Sequence, residues 1–130
     1  MDQQIVVAGA LISDGALLIA QRERPPELAG LWELPGGKVV ADESEPDALI
    51  RELREELGID VTIGDRLGAD VPLDSGMTLR AYLVRSPEAT PHPHDHRALR
   101  WVRVEELDDV QWVPADRGWV PDLMAALRES

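Results

Sequence analysis

The chain has no cysteine and no phenylalanine, a single tyrosine, and only 13 Lys and Arg against 25 Asp and Glu. The first absence excludes disulfides and thiolate metal sites and leaves carboxylates, histidines and carbonyl oxygens as ligands, a set that favours hard cations. The shortage of positive charge, a formal net charge of -12, creates a field that repels nucleic-acid phosphates. No nucleic-acid partner is therefore expected, and an anionic small substrate needs its own local cations. No apolar run approaches the length that crosses a bilayer, so no membrane partner is expected either. Met1-Asp2-Gln3-Gln4 places no basic region ahead of the first apolar run, so a secretory leader is not expected and the cytoplasm is the expected location. Repeats and low-complexity tracts are missing too. A length of 130 residues suits one domain, residues 1–130, around one sizeable core.

What is present reads as strands, turns and two helices. Gln4 to Ile12 and Ala16 to Gln21 are apolar runs separated by Ser13-Asp14-Gly15, which predicts a β-hairpin. Leu31 to Pro35 predicts a short strand entering a tight turn at Gly36-Gly37. Two short strand segments, Asp60 to Ile63 and Arg66 to Leu73, flank Gly64, and Thr78 to Arg85 and Leu99 to Val102 read as further strands. Val120, Leu123, Met124 and Leu127 recur at helical spacing in a last helix, Trp119 to Arg128. Between them, Ser86 to Arg97 carries Pro87, Pro91 and Pro93 and crowds His92, His94, Asp95 and His96 together. That spacing is not a helical His pair, and a solvated loop is expected.

The most informative stretch is Gly37 to Ile59. Ser44 is a good N-cap, Pro46 is tolerated in a first turn, and Gly58 supplies a stop, so a helix is expected from about Glu45. At 100° per residue Glu52, Glu55 and Glu56 share roughly a third of its circumference, beside a stripe of Leu49, Ile50, Leu53 and Leu57. Three clustered carboxylates repel unless a cation or an Arg offsets them, and a divalent ion such as magnesium is the economical partner. An ordinary surface helix supported by Asp47–Arg51 and Arg51–Glu55 pairs is the competing reading on the helix alone.

The spacing as a whole decides between them. Gly37, Glu43, Arg51-Glu52-Leu53, Glu55-Glu56 and Gly58-Ile59 resemble the Nudix box, residues 37–59, at every defined position, and the flanks are similar to the MutT-type branch of that family. The resemblance implies an α/β fold, the Nudix α/β/α sandwich with a central mixed sheet. It implies Mg2+-dependent hydrolysis of a nucleoside triphosphate to monophosphate and pyrophosphate, with Mn2+ able to substitute. Metal ligands implied are Gly36 through its carbonyl, Glu52, Glu55, Glu56, and Asp95 from the later loop. Arg51 would orient Glu52, the preferred general base, and Glu43 would brace the loop or reach the metal through water.

The small-molecule nucleotide partner would be gripped at its phosphates by Arg22 and Lys38. Strand periodicity alone leaves the choice between Arg22 and Arg24 open. Glu33 would hold base or ribose, against an ordinary strand-surface carboxylate. Asp116 would read the base, against a plain N-cap of the last helix. An ionised carboxylate only accepts hydrogen bonds, so it could suit the N4 donor of cytosine or the N1 and N2 donors of guanine; cytidine nucleotides (CTP, dCTP and 5-methyl forms) are expected first, with 8-oxo-dGTP and 8-oxo-GTP close behind. Hydrolysis of a nucleotide sugar or ADP-ribose and a non-catalytic nucleotide-binding module are the rival readings. A monomer is the default expectation.

Overall fold

The computed structural model describes residues 4–87, 90–92 and 98–130. Seven strands among them form one mixed sheet: β1 (Ile5–Ser13), β2 (Ala16–Gln21), β3 (Trp32–Glu33), β4 (Gly36–Lys38), β5 (Thr62–Pro72), β6 (Thr78–Arg85) and β7 (Ala98–Val102). The helices are α1 (Glu45–Leu57), α2 (Pro114–Arg117) and α3 (Val120–Glu129), with a 3-10 turn at Val104–Asp109. The hairpin forms where its residues predict it. Asp14 and Gly15 both take positive φ, 52° and 76°, which matches a two-residue turn to the twist of the strands it joins.

β1 is the centre of the sheet. It pairs antiparallel with β2 and β4 and parallel with β6, while β5 closes one side against β6 and β3 and β7 both pair with β2. A strand bonded on both edges and covered on both faces needs an unbroken apolar run, which Val7 to Leu11 supplies. Val7 and Leu11 pack with Leu18, Val84 and the Ala48, Leu49, Leu53 and Leu57 stripe of α1. Ala8 and Ala10 face the other way, into a cluster with Leu17, Ile19, Trp119, Leu123 and Leu127. The sheet therefore lies between α1 on one face and α2 and α3 on the other, the α/β/α sandwich expected.

Three expectations about elements need correction. Gly36 and Gly37 do not make a turn: they are the first two residues of β4, paired with Ala8 and Val7. The segments flanking Gly64 are one strand, β5, whose register against β6 shifts between Ile63 and Arg66 and again between Leu67 and Val71; a bulge lets a strand continue through residues that break its alternation. The last helix begins at Val120, with Trp119 as its N-cap, so Asp116 does not cap it. Asp116 lies inside α2 instead. No helix among the described residues is long and apolar enough to cross a membrane.

Candidate active site

α1 forms because its ends are specified and its faces are segregated. Ser44 Oγ accepts from the Asp47 amide at 3.1 Å, and Gly58, at φ 70°, lets its own amide reach the Arg54 carbonyl. With the Leu stripe buried, the neighbouring face presents Arg51 and its carboxylates. Arg51 is their hub. Its Nε and Nη2 donate to Glu43 Oε2 and Oε1 at 2.8 and 2.9 Å, its Nη1 donates to Glu52 Oε1 at 2.9 Å and Glu55 Oε2 at 3.3 Å, and Nη2 also reaches the Lys38 carbonyl at 3.0 Å. Glu43 accepts in addition from the Val40 amide at 3.0 Å. The Arg51 fork, then that amide, hold the Glu43 carboxyl down at about 2, while Glu43 first and Glu52 after it push the Arg51 guanidinium further up. One guanidinium thus ties the loop from β4 to the face of α1.

Among the described residues, no three His, Cys, Asp or Glu side chains gather closely enough to make a metal site by themselves; Arg51 draws Glu52 and Glu55 to itself. The residues present nonetheless fit a hard divalent cation. Glu52, Glu55 and Glu56 on α1 and the peptide oxygens of β4 are all oxygen donors. The two elements also meet as only glycine permits: a Cβ on Gly37 would lie 2.3 Å from the Glu52 carboxyl, and one on Gly36 would lie 1.9 Å from the Val7 carbonyl oxygen. The glycines are required for this close approach, rather than for a turn. Asp95, the remaining expected ligand, lies outside the described residues.

On the other face of β4 a cavity of about 460 Å³ opens, lined by Arg22, Glu33, Leu34, Gly36, Gly37, Lys38 and Asp116, with Val113 to Ala115 and Leu28 completing its walls. Arg22 lines it, whereas Arg24 does not and is exposed, which separates two residues that strand periodicity left equivalent. Arg22 Nη1 donates to Glu33 at 3.0 and 3.3 Å, so the cation at the cavity mouth already has a carboxylate partner. Trp32 is partly buried against the core on the α3 side, and the Val113 amide donates to its carbonyl, which brings α2 to the cavity edge.

Asp116 is 3% exposed. Its Oδ2 accepts from the Leu34 amide at 2.8 Å, and no other carboxyl in the described chain is buried to this degree. Loss of solvent is the main influence and pushes it up to about 8; Glu33 adds to this, while the Leu34 amide and Arg22 oppose it. At neutral pH the group is therefore mostly a carboxylic acid. With Oδ2 occupied by the Leu34 amide, the acid can offer an O–H donor beside an acceptor, as an amide side chain does. A raised Asp116 thus differs from an ionised carboxylate, which only accepts. The Leu34 amide and the Val113-Pro114-Ala115 wall are contributors that sequence reasoning missed, because neither a backbone amide nor a short apolar turn carries a motif.

Comparison with known proteins covers nearly the whole chain. A family model described as NUDIX domain matches residues 3–123. A protein of Mycobacterium tuberculosis (strain H37Rv), provisionally named 8-oxo-dGTP diphosphatase 2, is 57% identical over 133 residues, spanning 100% of this chain and 94% of its own length. The CTP pyrophosphohydrolase of Escherichia coli (strain K12) is 42% identical over 113 residues, spanning 85% of this chain and 84% of its own. The solution structure of the E. coli ORF135 protein superposes with a TM-score of 0.81 at 40% identity, covering 96% of this chain and 91% of that one. A structure from work on MutT of Aliivibrio salmonicida and Vibrio cholerae gives 0.77 at 30% identity, covering 96% and 98%.

Proposed function

The chain belongs to the Nudix family, hydrolases of phosphoric anhydrides that generally need a divalent metal, and on that premise we propose that it converts oxidised guanine and cytidine nucleoside triphosphates to monophosphate and pyrophosphate. The observation that carries this is the one cavity of about 460 Å³ whose lining includes Asp116 together with Gly36, Gly37 and Lys38, with Glu52 packed close against Gly37. It is within the size range of small-ligand pockets and has a base-reading group and a phosphate end in one space.

In this reading Arg51 holds Glu52 by Oε1, which leaves Oε2 to take the proton of the attacking water. Glu52, Glu55, Glu56 and the Gly36 carbonyl would hold Mg2+, with Mn2+ as a substitute. A bound divalent ion supplies neutralisation of the phosphate oxygens and a more acidic water. Lys38 lines the phosphate end, and Arg22, paired with Glu33, would turn to phosphate on binding while Glu33 contacts the ribose or base. Water enters at phosphorus and pyrophosphate leaves, so the chain's own work is positioning and charge compensation.

The neutral acid serves both substrate classes. An O–H donor beside an acceptor complements O6 and the N7–H of 8-oxoguanine, and equally N3 and the N4 amino group of cytosine. The Asp116 contact therefore does not separate the two classes. We place 8-oxo-dGTP and 8-oxo-GTP first and CTP, dCTP and their 5-methyl forms second, in keeping with the name of the relative that is 57% identical. Pyrophosphate release across a nucleotide panel tests this. Turnover of both classes is expected, no turnover of either would sink it, and phosphosugar products from ADP-ribose or a nucleotide sugar would point to the rival activity.

A further inference from the structure

A second charged network lies under α1, away from the cavity. Arg80 on β6 donates through Nη1 to Glu45 Oε2 at 2.7 Å and grips Asp70 of β5 through Nε and Nη2 at 3.0 and 2.7 Å. Tyr82, two residues on, donates its hydroxyl to Glu45 Oε1 at 2.7 Å. Arg66 of β5 also donates to Asp70. Both oxygens of Glu45, the first residue of α1, are therefore held by the sheet, half-buried, with the Arg80 and Glu45 side chains 21% and 24% exposed.

Its position relative to the carboxylates is what matters. At 100° per residue, Glu45, Glu52 and Glu56 fall within roughly 20° of one line along the helix. Glu45 and Glu52 are about 10 Å apart along the axis, at 1.5 Å per residue. Beneath them one cross-strand row runs from Gly37 of β4 to Val7 of β1 to Arg80 of β6, two strand spacings or about 9.6 Å. The row and the helix line thus match in length. At one end Gly37 leaves room for the Glu52 carboxyl, and at the other Arg80 holds Glu45. A roll of α1 by about 20° would move a side chain at its outer radius of about 6 Å by roughly 2 Å, comparable to the 2.3 Å between a Cβ position on Gly37 and the Glu52 carboxyl.

We propose that Glu45, Arg80 and Tyr82 are positioning residues that fix the roll of α1, and with it the place of Glu52 and Glu56 against β4. This rests on the reading of Glu52 and Glu56 as the metal-holding face. The test uses Tyr82→Phe, Glu45→Ala and their double variant, with kcat, KM for the nucleotide, and Mn2+ affinity of the nucleotide-free protein measured by electron paramagnetic resonance. Leu127→Ala, in the core on the opposite face of the sheet, controls for lost stability alone. Glu45→Ala is expected to lower kcat and weaken Mn2+ binding by about tenfold or more, as misplacement of about an ångström does, with KM unchanged. Tyr82→Phe moves both in the same direction, and the double variant matches Glu45→Ala, because Tyr82 acts only through Glu45. Additive losses in the double variant, losses reproduced by Leu127→Ala, or Tyr82→Phe and Glu45→Ala variants with wild-type kcat and Mn2+ affinity would each overturn the proposal. If Glu45→Ala does not fold, Tyr82→Phe carries the same readouts alone. A wild-type chain that neither hydrolyses nucleotide nor binds Mn2+ would instead overturn the metal-face reading beneath it.

Discussion

Glu43, in the loop before α1, and Asp116, in the wall of the cavity, belong to the two halves of the proposed site, and the molecule treats the same functional group in opposite ways there. Each carboxyl accepts a hydrogen bond from a backbone amide, Val40 for Glu43 and Leu34 for Asp116. Yet one is held down at about 2 and the other is pushed up to about 8. The shared amide cannot be the cause of the difference. Glu43 sits in a guanidinium fork, whereas Asp116 has lost its solvent and feels Glu33 and Arg22 in opposite directions. Phosphoryl transfer needs fixed negative charge where a cation must be held, and base reading is served by a neutral group with a donor and an acceptor. Burial and partner, rather than residue type, allocate these roles.

The sharpest way to break the comparison is at the charged end. Glu52→Gln keeps the shape of the side chain and a contact to Arg51 but removes the proton acceptor, and kcat is expected to fall about 10²- to 10⁴-fold by pyrophosphate release, with the fold unchanged by circular dichroism. Unchanged turnover would remove Glu52 from the base role. Arg51→Lys comes next, with a loss of about 10- to 100-fold. A lysine keeps the charge but cannot fork onto Glu43 while also holding Glu52. The same variant also moves a stability window. The Glu43 carboxyl is depressed in the folded chain, so its contribution is present above the unfolded value near 4.5 and is lost as pH falls towards about 2. In Arg51→Lys the folded value moves back towards 4.5, so the contribution is smaller and is gone at a higher pH, visible as acid unfolding at a higher pH.

The charged end was far more legible in the sequence than the neutral end. Ser44, Pro46, the Leu stripe and Gly58 set the limits of α1 through local rules, and Arg51, Glu43, Glu52 and Glu55 meet within that one stretch and the loop before it. Asp116 depends instead on the amide of Leu34, 82 residues away, and its protonation depends on a cavity that no local pattern reports. The Glu45–Arg80–Tyr82 network likewise spans 35 to 37 positions. Gly36-Gly37 misled for a related reason: a glycine pair signals backbone freedom, but its use here is close approach across β1 and α1, which only the assembled sheet reveals. The strands of the hairpin and of β6 were readable because their apolar runs end at turn residues.

At the neutral end the expected effect is about tenfold. Between pH 7 and pH 9 the protonated fraction of a group at about 8 falls roughly tenfold, so kcat/KM for 8-oxo-dGTP and for CTP should both fall by up to about that factor, because the ionised group keeps its acceptor and loses the donor for guanine O6 and for cytosine N3 alike. Asp116→Asn should remove this step from both pH profiles. Stability follows the same proton. The folded value is raised above the unfolded 3.8, so the contribution is full at low pH and declines as pH rises from about 4 to about 8, where the unfolded chain has released a proton that the folded chain retains. Glu33, Arg22, Lys38 and Asp74 share the cavity, so the decline is best followed between pH 6 and 8 by urea unfolding of the wild type and Asp116→Asn. A wild-type curve parallel to that of the variant would mean that Asp116 is ionised in the folded chain.

The smallest effect isolates solvent as the variable. Arg54, three residues after Arg51 on the same helix, donates to Asp60 at 2.8 Å, as short as any contact Arg51 makes to Glu43. Distance alone would make the two pairs equivalent. The Arg54 and Asp60 side chains, however, are 63% and 82% exposed, against 30% and 14% for Arg51 and Glu43, and water screens an exposed pair to within about 1 kcal/mol. Arg54→Ala should therefore shift unfolding free energy by less than about 1 kcal/mol, with that shift shrinking further in high salt, and leave kcat and KM at wild-type values. A loss of turnover in Arg54→Ala comparable to that in Arg51→Lys would show that any Arg–carboxylate pair on α1 steadies the metal face, and that the placement of Arg51 among Glu43, Glu52 and Glu55 is not what distinguishes it.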